Sequence, residues 1–179
     1  MNRCARIRSN YGTTIAEFAP TMWLLLMLFT FPLIAFGTLG VRYAFFLNAA
    51  RLAATSASQC KSFLTNFSAT QISAVNIANT VATQSVKGFS GITMTGITTQ
   101  IAICPLAGTT VTRQTTALSK PADTTVNNYN IEVLITGQIN PLIQLPSKSI
   151  LGTIPGLTAP IMTSARSSVY AENPQGLNQ

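Results

Sequence analysis

The side chains able to do chemistry in this chain are few: four carboxylates, three thiols and no imidazole among 179 residues. Without histidine, the Ser-His-Asp and Cys-His arrangements of nucleophilic catalysis and the usual zinc ligand sets cannot be assembled. Beyond Arg42 the acids are Asp123, Glu132 and Glu172, far apart in sequence, and the acid pair of a glycoside hydrolase is conceivable only from Asp123 and Glu132. Glu132, however, alternates on the polar side of a strand pattern and reads more simply as a solvated residue. No phosphate-binding glycine loop followed by lysine, no nucleophile elbow and no EF-hand loop occurs. The expectation is a protein without enzymatic activity, cofactor or metal. Of the two other carboxylates, Glu172 lies near the C-terminus, and Glu17 borders a run of 24 uncharged residues from Phe18 to Val41. A carboxylate at the lip of such a segment needs headgroup water or a cation.

The element that positions Glu17 is this run. A helix of that length covers roughly 36 Å, more than the roughly 30 Å of a bilayer's hydrocarbon core, so it can span with some tilt. Arg3, Arg6 and Arg8 precede it, and this asymmetry predicts that the N-terminal stub stays in the cytoplasm while everything after Arg42 is translocated. The three arginines are also the only basic cluster behind a formal charge of +7. They are better explained as an orientation signal than as a nucleic-acid surface, since no basic stripe or stacking-aromatic motif accompanies them. Pro20 and Pro32 each remove a backbone hydrogen bond inside the run and predict a bent or locally melted helix. A secretory signal peptide, cut near Asn48-Ala49-Ala50, is a competing reading, but the apolar stretch exceeds the usual length of such a core.

Gly12, then Thr13-Thr14-Ile15-Ala16, then Glu17-Phe18 and an apolar span resemble the processing motif of type IVb pilins and pseudopilins of the tight-adherence (Tad) pilus. The resemblance implies that a prepilin peptidase cuts after Gly12, making Thr13 the first residue and Glu17 the fifth. A new ammonium at Thr13 and a carboxylate at Glu17 are one helical turn apart, and in a filament the same carboxylate could neutralise the amine of a neighbouring subunit. Glu17 and Phe18 would then be assembly residues. Asn48-Ala49-Ala50-Arg51-Leu52-Ala53-Ala54, and Ala165-Arg166 followed by Glu172, are similar to stretches of TadE-like minor pseudopilins. Pro20 close to Glu17 and the wide Arg166-to-Glu172 gap depart from that pattern and leave the choice among TadE-, TadF- and TadG-like subtypes open. The implied partners are membrane lipid, the prepilin peptidase, companion pilins or pseudopilins, and the assembly platform with its ATPase. The implied location is the bacterial inner membrane, single-pass, with the C-terminal head outside the cytoplasm. The rival is an untrimmed single-pass envelope protein whose head is a binding module.

Charged residues make up only 8 % of the chain, and the part beyond Arg42 is rich in Ser, Thr, Asn and Gln. Tyr43, Phe46, Leu47, Ala50, Ala53, Ala54 and Ala57 recur at helical spacing and carry the anchor helix on towards Phe63. Ile72, Val75, Ala78, Ala82 and Val86 mark a second helix closed by Gly88. Ile92, Met94 and Gly96 alternate before a slip towards Ile101 and Ile103. Tyr129, Ile131, Val133, Ile135, Gly137 and Ile139 form a cleaner row of period two, and a last strand is expected from Ile161 to Tyr170. The predicted fold is α+β: a long N-terminal transmembrane helix extending into a small head of about two helices on a three-stranded antiparallel sheet. The boundaries are a basic leader 1–12, an anchor helix 13–42, a helical stalk and second helix 43–90, a β-rich head 91–172 and a loose tail 173–179. Cys4 leaves with the leader, while Cys60 and Cys104 enter a potentially oxidising space and form the candidate disulfide.

Overall fold

In the computed structural model, the described residues are 11–68, 70–142, 154–156 and 159–179, and the side chains of 11–17 fall outside the description. One helix, α1 (Tyr11–Ser58), runs unbroken for 48 residues. It passes through both Pro20 and Pro32 without losing helical structure, against the expected melting. Each proline removes one intrahelical bond and leaves the ladder on either side intact.

The two halves of α1 bury different amounts because they have different neighbours. From Phe46 onward the buried face is Phe46, Ala49, Ala50, Ala53, Ala54 and Ala57, the i, i+3, i+4 spacing of a core-facing stripe. It packs on α2 (Ala74–Lys87), whose buried residues Ala74, Ala78, Ala82 and Val86 fall at every fourth position. Alanine on both helices removes the bulk that would hold their axes apart. The Ser73 hydroxyl accepts from the Asn76 amide at the start of α2, and Gly88 caps its end. Ile72, expected in the stripe, lies before this cap and is exposed.

α1 ends five residues short of Phe63. The Ser58 carbonyl accepts the Glu172 amide at 3.0 Å, so a tertiary partner takes over where the ladder would have continued.

The helices cover one face of a four-stranded antiparallel sheet rather than the three strands expected. Its strands are β1 (Ile92–Pro105), β2 (Thr112–Gln114), β3 (Asn127–Ile139) and β4 (Ile161–Tyr170), in the order β2-β1-β3-β4. The additional strand, β2, has three residues and pairs only with Ile101, Ala102 and Ile103 of β1. The slip read between Met94 and Ile101 is a register shift between Met94 and Gly96, one residue looped out of the ladder with β3. The period-two row on β3 is the inner face, with Tyr129, Ile131, Val133, Ile135 and Ile139 all buried.

The last residues are no loose tail. Pro174–Asn178 form a 3₁₀ helix whose Leu177 is 2 % exposed. Gln179 O accepts the amides of Phe63 and Leu64, and Leu177 O accepts the amide of Leu118.

Candidate functional site

The part of α1 below the head presents apolar side chains in every direction. Trp23 and Leu33 are 65 % and 75 % exposed, and Phe18, Leu24, Leu28 and Phe29 are as bare. A helix that met water would carry a polar face, and this one carries none between Phe18 and Val41. It is the one helix among the described residues long and apolar enough to cross a membrane.

Gly12, Thr13 and Glu17 lie in the first turns of this helix, so the backbone places Thr13 and Glu17 one turn apart on one side. Their side chains are outside the description. Arg3, Arg6, Arg8 and Cys4 lie outside the described residues altogether. Phe18 is the first described side chain, and it is exposed.

The upper end of the apolar run is built more firmly than sequence reasoning anticipated. Arg42, the first charge after it, turns back onto the base of the sheet and donates from Nη1 to Asn140 O at 2.5 Å. Its guanidinium lies against Gly91, where a Cβ would come within 2.5 Å of Cζ, and Gly91 itself has φ +84°. Only glycine combines that backbone with so close a neighbour. The Gly91 carbonyl in turn accepts the Asn140 amide at 2.8 Å, so anchor, turn and sheet meet at one point. Phe45 stacks on Phe89 beside it, ring centroids 3.8 Å apart.

The carboxylates of the head are not brought together. Asp123 sits in the turn before β3, where its Oδ1 accepts from the Thr125 amide at 3.0 Å and hydroxyl at 2.6 Å. These bonds hold its carboxyl below the usual aspartate value. Glu132 lies five residues beyond the start of β3, roughly 16 Å along the strand from Asn127. It is not solvated, as its alternation implied, but 4 % exposed.

Glu132 Oε2 accepts from Gln100 Nε2 at 2.6 Å and Arg113 Nε at 2.8 Å, while Oε1 faces Arg166 Nε at 3.4 Å. All four strands thus deliver one carboxylate, one amide and two half-exposed guanidinium groups to the sheet face that the helices leave open. Arg166, read as one end of an Arg166–Glu172 segment, pairs with Glu132 instead. Arg113 carried no sequence signal, because it reaches Glu132 only through the short β2. Its partners satisfy this buried acid, which suits a cross-strand clasp better than a proton donor.

Cys60 and Cys104 are both free, so the expected bridge does not form. Cys60 packs against the helix-side core and donates to Ser56 O at 3.5 Å. Cys104 follows the inward Ile103 and so points to the opposite face, where Asn130 Nδ2 is 4.0 Å from its sulfur. A sheet stands between the two thiols. Burial pushes the Cys60 thiol up from its ordinary value.

No family model, curated protein or solved structure matches this chain.

Proposed function

We propose that the chain is a minor pseudopilin of the TadE-like kind, trimmed after Gly12 by a prepilin peptidase and taking part in assembly or priming of a Tad-type pilus. The observation that carries this reading is the division of α1. A single unbroken helix is bare and apolar over its first half and is the spine of an α+β head over its second. A bare apolar helix must be covered by lipid or by copies of itself. A subunit that passes from membrane to filament exchanges one cover for the other, with the same surface serving both.

Three features of the sequence support the assignment: the arginine stub, Gly12 five residues before Glu17, and the apolar run that begins at Phe18. Arg3, Arg6 and Arg8 orient the helix with the head outside the cytoplasm. Cutting after Gly12 creates an ammonium at Thr13 one turn from the Glu17 carboxylate, and the pair, within or between subunits, lowers the cost of both charges in an apolar setting. The head contributes assembly surface. The partners this implies are the peptidase, companion pilins, and the platform with its ATPase.

The test is the mature N-terminus and intact mass of the protein from native membranes, with and without Gly12→Lys. A chain beginning at Thr13, with cutting blocked in the variant, is the expected result. A chain that keeps Met1 or Asn2 makes the protein an uncleaved single-pass anchor with a binding head. One that begins beyond Ala50 makes it secreted.

A further inference from the structure

Two surfaces of different character meet where the anchor enters the head. Ile34, Gly37, Thr38 and Val41 of α1 form the wall of a groove of about 480 Å³, and the turn from Gly88 to Ser90 closes its other side. The lower part belongs to the apolar run and is continuous with its bare surface. The upper lip is Arg42, beside the stacked rings of Phe45 and Phe89.

Arg42 spends one N–H on Asn140 O. Among the described residues no carboxylate pairs with it: Glu132 is held by Arg113 and Arg166. A guanidinium offers five N–H donors in a planar fork suited to two oxygens of one phosphate. Gly37, midway down the groove, has no atom within 4 Å of where its Cβ would be, which leaves the wall open to a slender apolar occupant.

We propose that this groove holds one anionic phospholipid, with an acyl chain along Ile34 to Val41 and the headgroup phosphate on Arg42. The charges are complementary, and the apolar part continues the surface that already faces lipid. Aromatic rings at the lip match the amphipathic level of a headgroup. The inference rests on α1 crossing a membrane and is independent of trimming or pilus assembly.

The full chain is reconstituted in vesicles of phosphatidylcholine, with or without phosphatidylglycerol, released gently and weighed with its bound lipid by native mass spectrometry. Wild type is expected to retain phosphatidylglycerol in preference to phosphatidylcholine. Arg42→Gln, which keeps a donor for Asn140, should cut that retention about tenfold, the effect of one charge-assisted contact. Gly37→Leu fills the groove without touching the Arg42–Asn140 bond and should cut it similarly. If Arg42→Gln lowers the melting temperature of the head, Gly37→Leu alone decides.

Equal retention of both lipids by wild type overturns the site, as does unchanged retention in Gly37→Leu. A dimer that Gly37→Leu abolishes, with no lipid preference, assigns the groove to a second copy and overturns it too. Alkaline carbonate extraction separates the levels. A chain released from membranes removes the anchor itself, whereas one that stays in the pellet without lipid preference loses only this site.

Discussion

At the scale of single residues, two buried polar side chains make opposite predictions. Glu132 has a partner for each oxygen, supplied by strands 19 and 34 residues away in sequence for Arg113 and Arg166. Replacing it with alanine strands two guanidinium groups and the Gln100 amide on the sheet. Because both arginines are 42–47 % exposed and can turn to water, the cost is moderate, about 2 kcal/mol. Thr99 is the reverse case: on the inner face opposite Val133, its Oγ1 is buried with no hydrogen-bond partner among the described residues. Thr99→Val keeps the shape and removes an unpaired hydroxyl, so it should raise stability by about 1 kcal/mol. Denaturant unfolding of the detergent-solubilised chain measures both. A destabilised Thr99→Val would mean that a water or an unseen partner satisfies the hydroxyl. Sequence periodicity assigned Glu132 to the correct face and still misjudged its surroundings. Alternation says which way a side chain points but not what long side chains from neighbouring strands fold over it.

At the scale of elements, what was legible depended on length and repetition. β3 and β4 carry ten or more residues of alternation and were readable from pattern alone, and the slip in β1 was visible as a break in its period. β2 is three residues of Thr-Arg-Gln without an apolar member, and no pattern of that length distinguishes a strand from a loop. The second helix was legible as a stripe, but its start was misplaced at Ile72 because Ser73, the cap, carries the boundary. The stripe itself yields a prediction. Ala78 is fully buried where α2 meets the core shared with α1, so Ala78→Leu must push the two helices apart and should cost about 1–3 kcal/mol. Asn79→Leu, one residue on and exposed, should stay within about 0.5 kcal/mol of wild type. Equal effects at the two positions would show that α2 is not packed through its alanine face.

At the scale of the whole molecule, the chain's two ends do different work. The N-terminal helix leaves the head below Ala35 and Leu39, which are still buried, while the C-terminal 3₁₀ helix returns to the opposite end of α1 and closes the head there. Sequence composition marked Asn-Pro-Gln-Gly-Leu-Asn-Gln as loose because nothing in it is periodic, yet Leu177 alone supplies the apolar contact and the backbone supplies the rest. The point of closest approach is Gly176, where a Cβ would lie 1.8 Å from the carbonyl oxygen of Lys61. That obstacle is backbone, flanked by amides of Phe63 and Leu64 already bonded to Gln179, so it cannot swing aside as a long side chain would. Gly176→Ala should therefore undock the segment as a unit and expose Leu177, at a cost of about 2–3 kcal/mol. Native-state hydrogen exchange locates the effect: the amides of Phe63, Leu64 and Leu118 should lose protection together. Amides in the β1–β3 ladder should keep theirs, because none of their partners involves the segment. Protection retained at Phe63 and Leu64 in the variant would show that the closure does not depend on this approach, and that Lys61 and its loop yield instead.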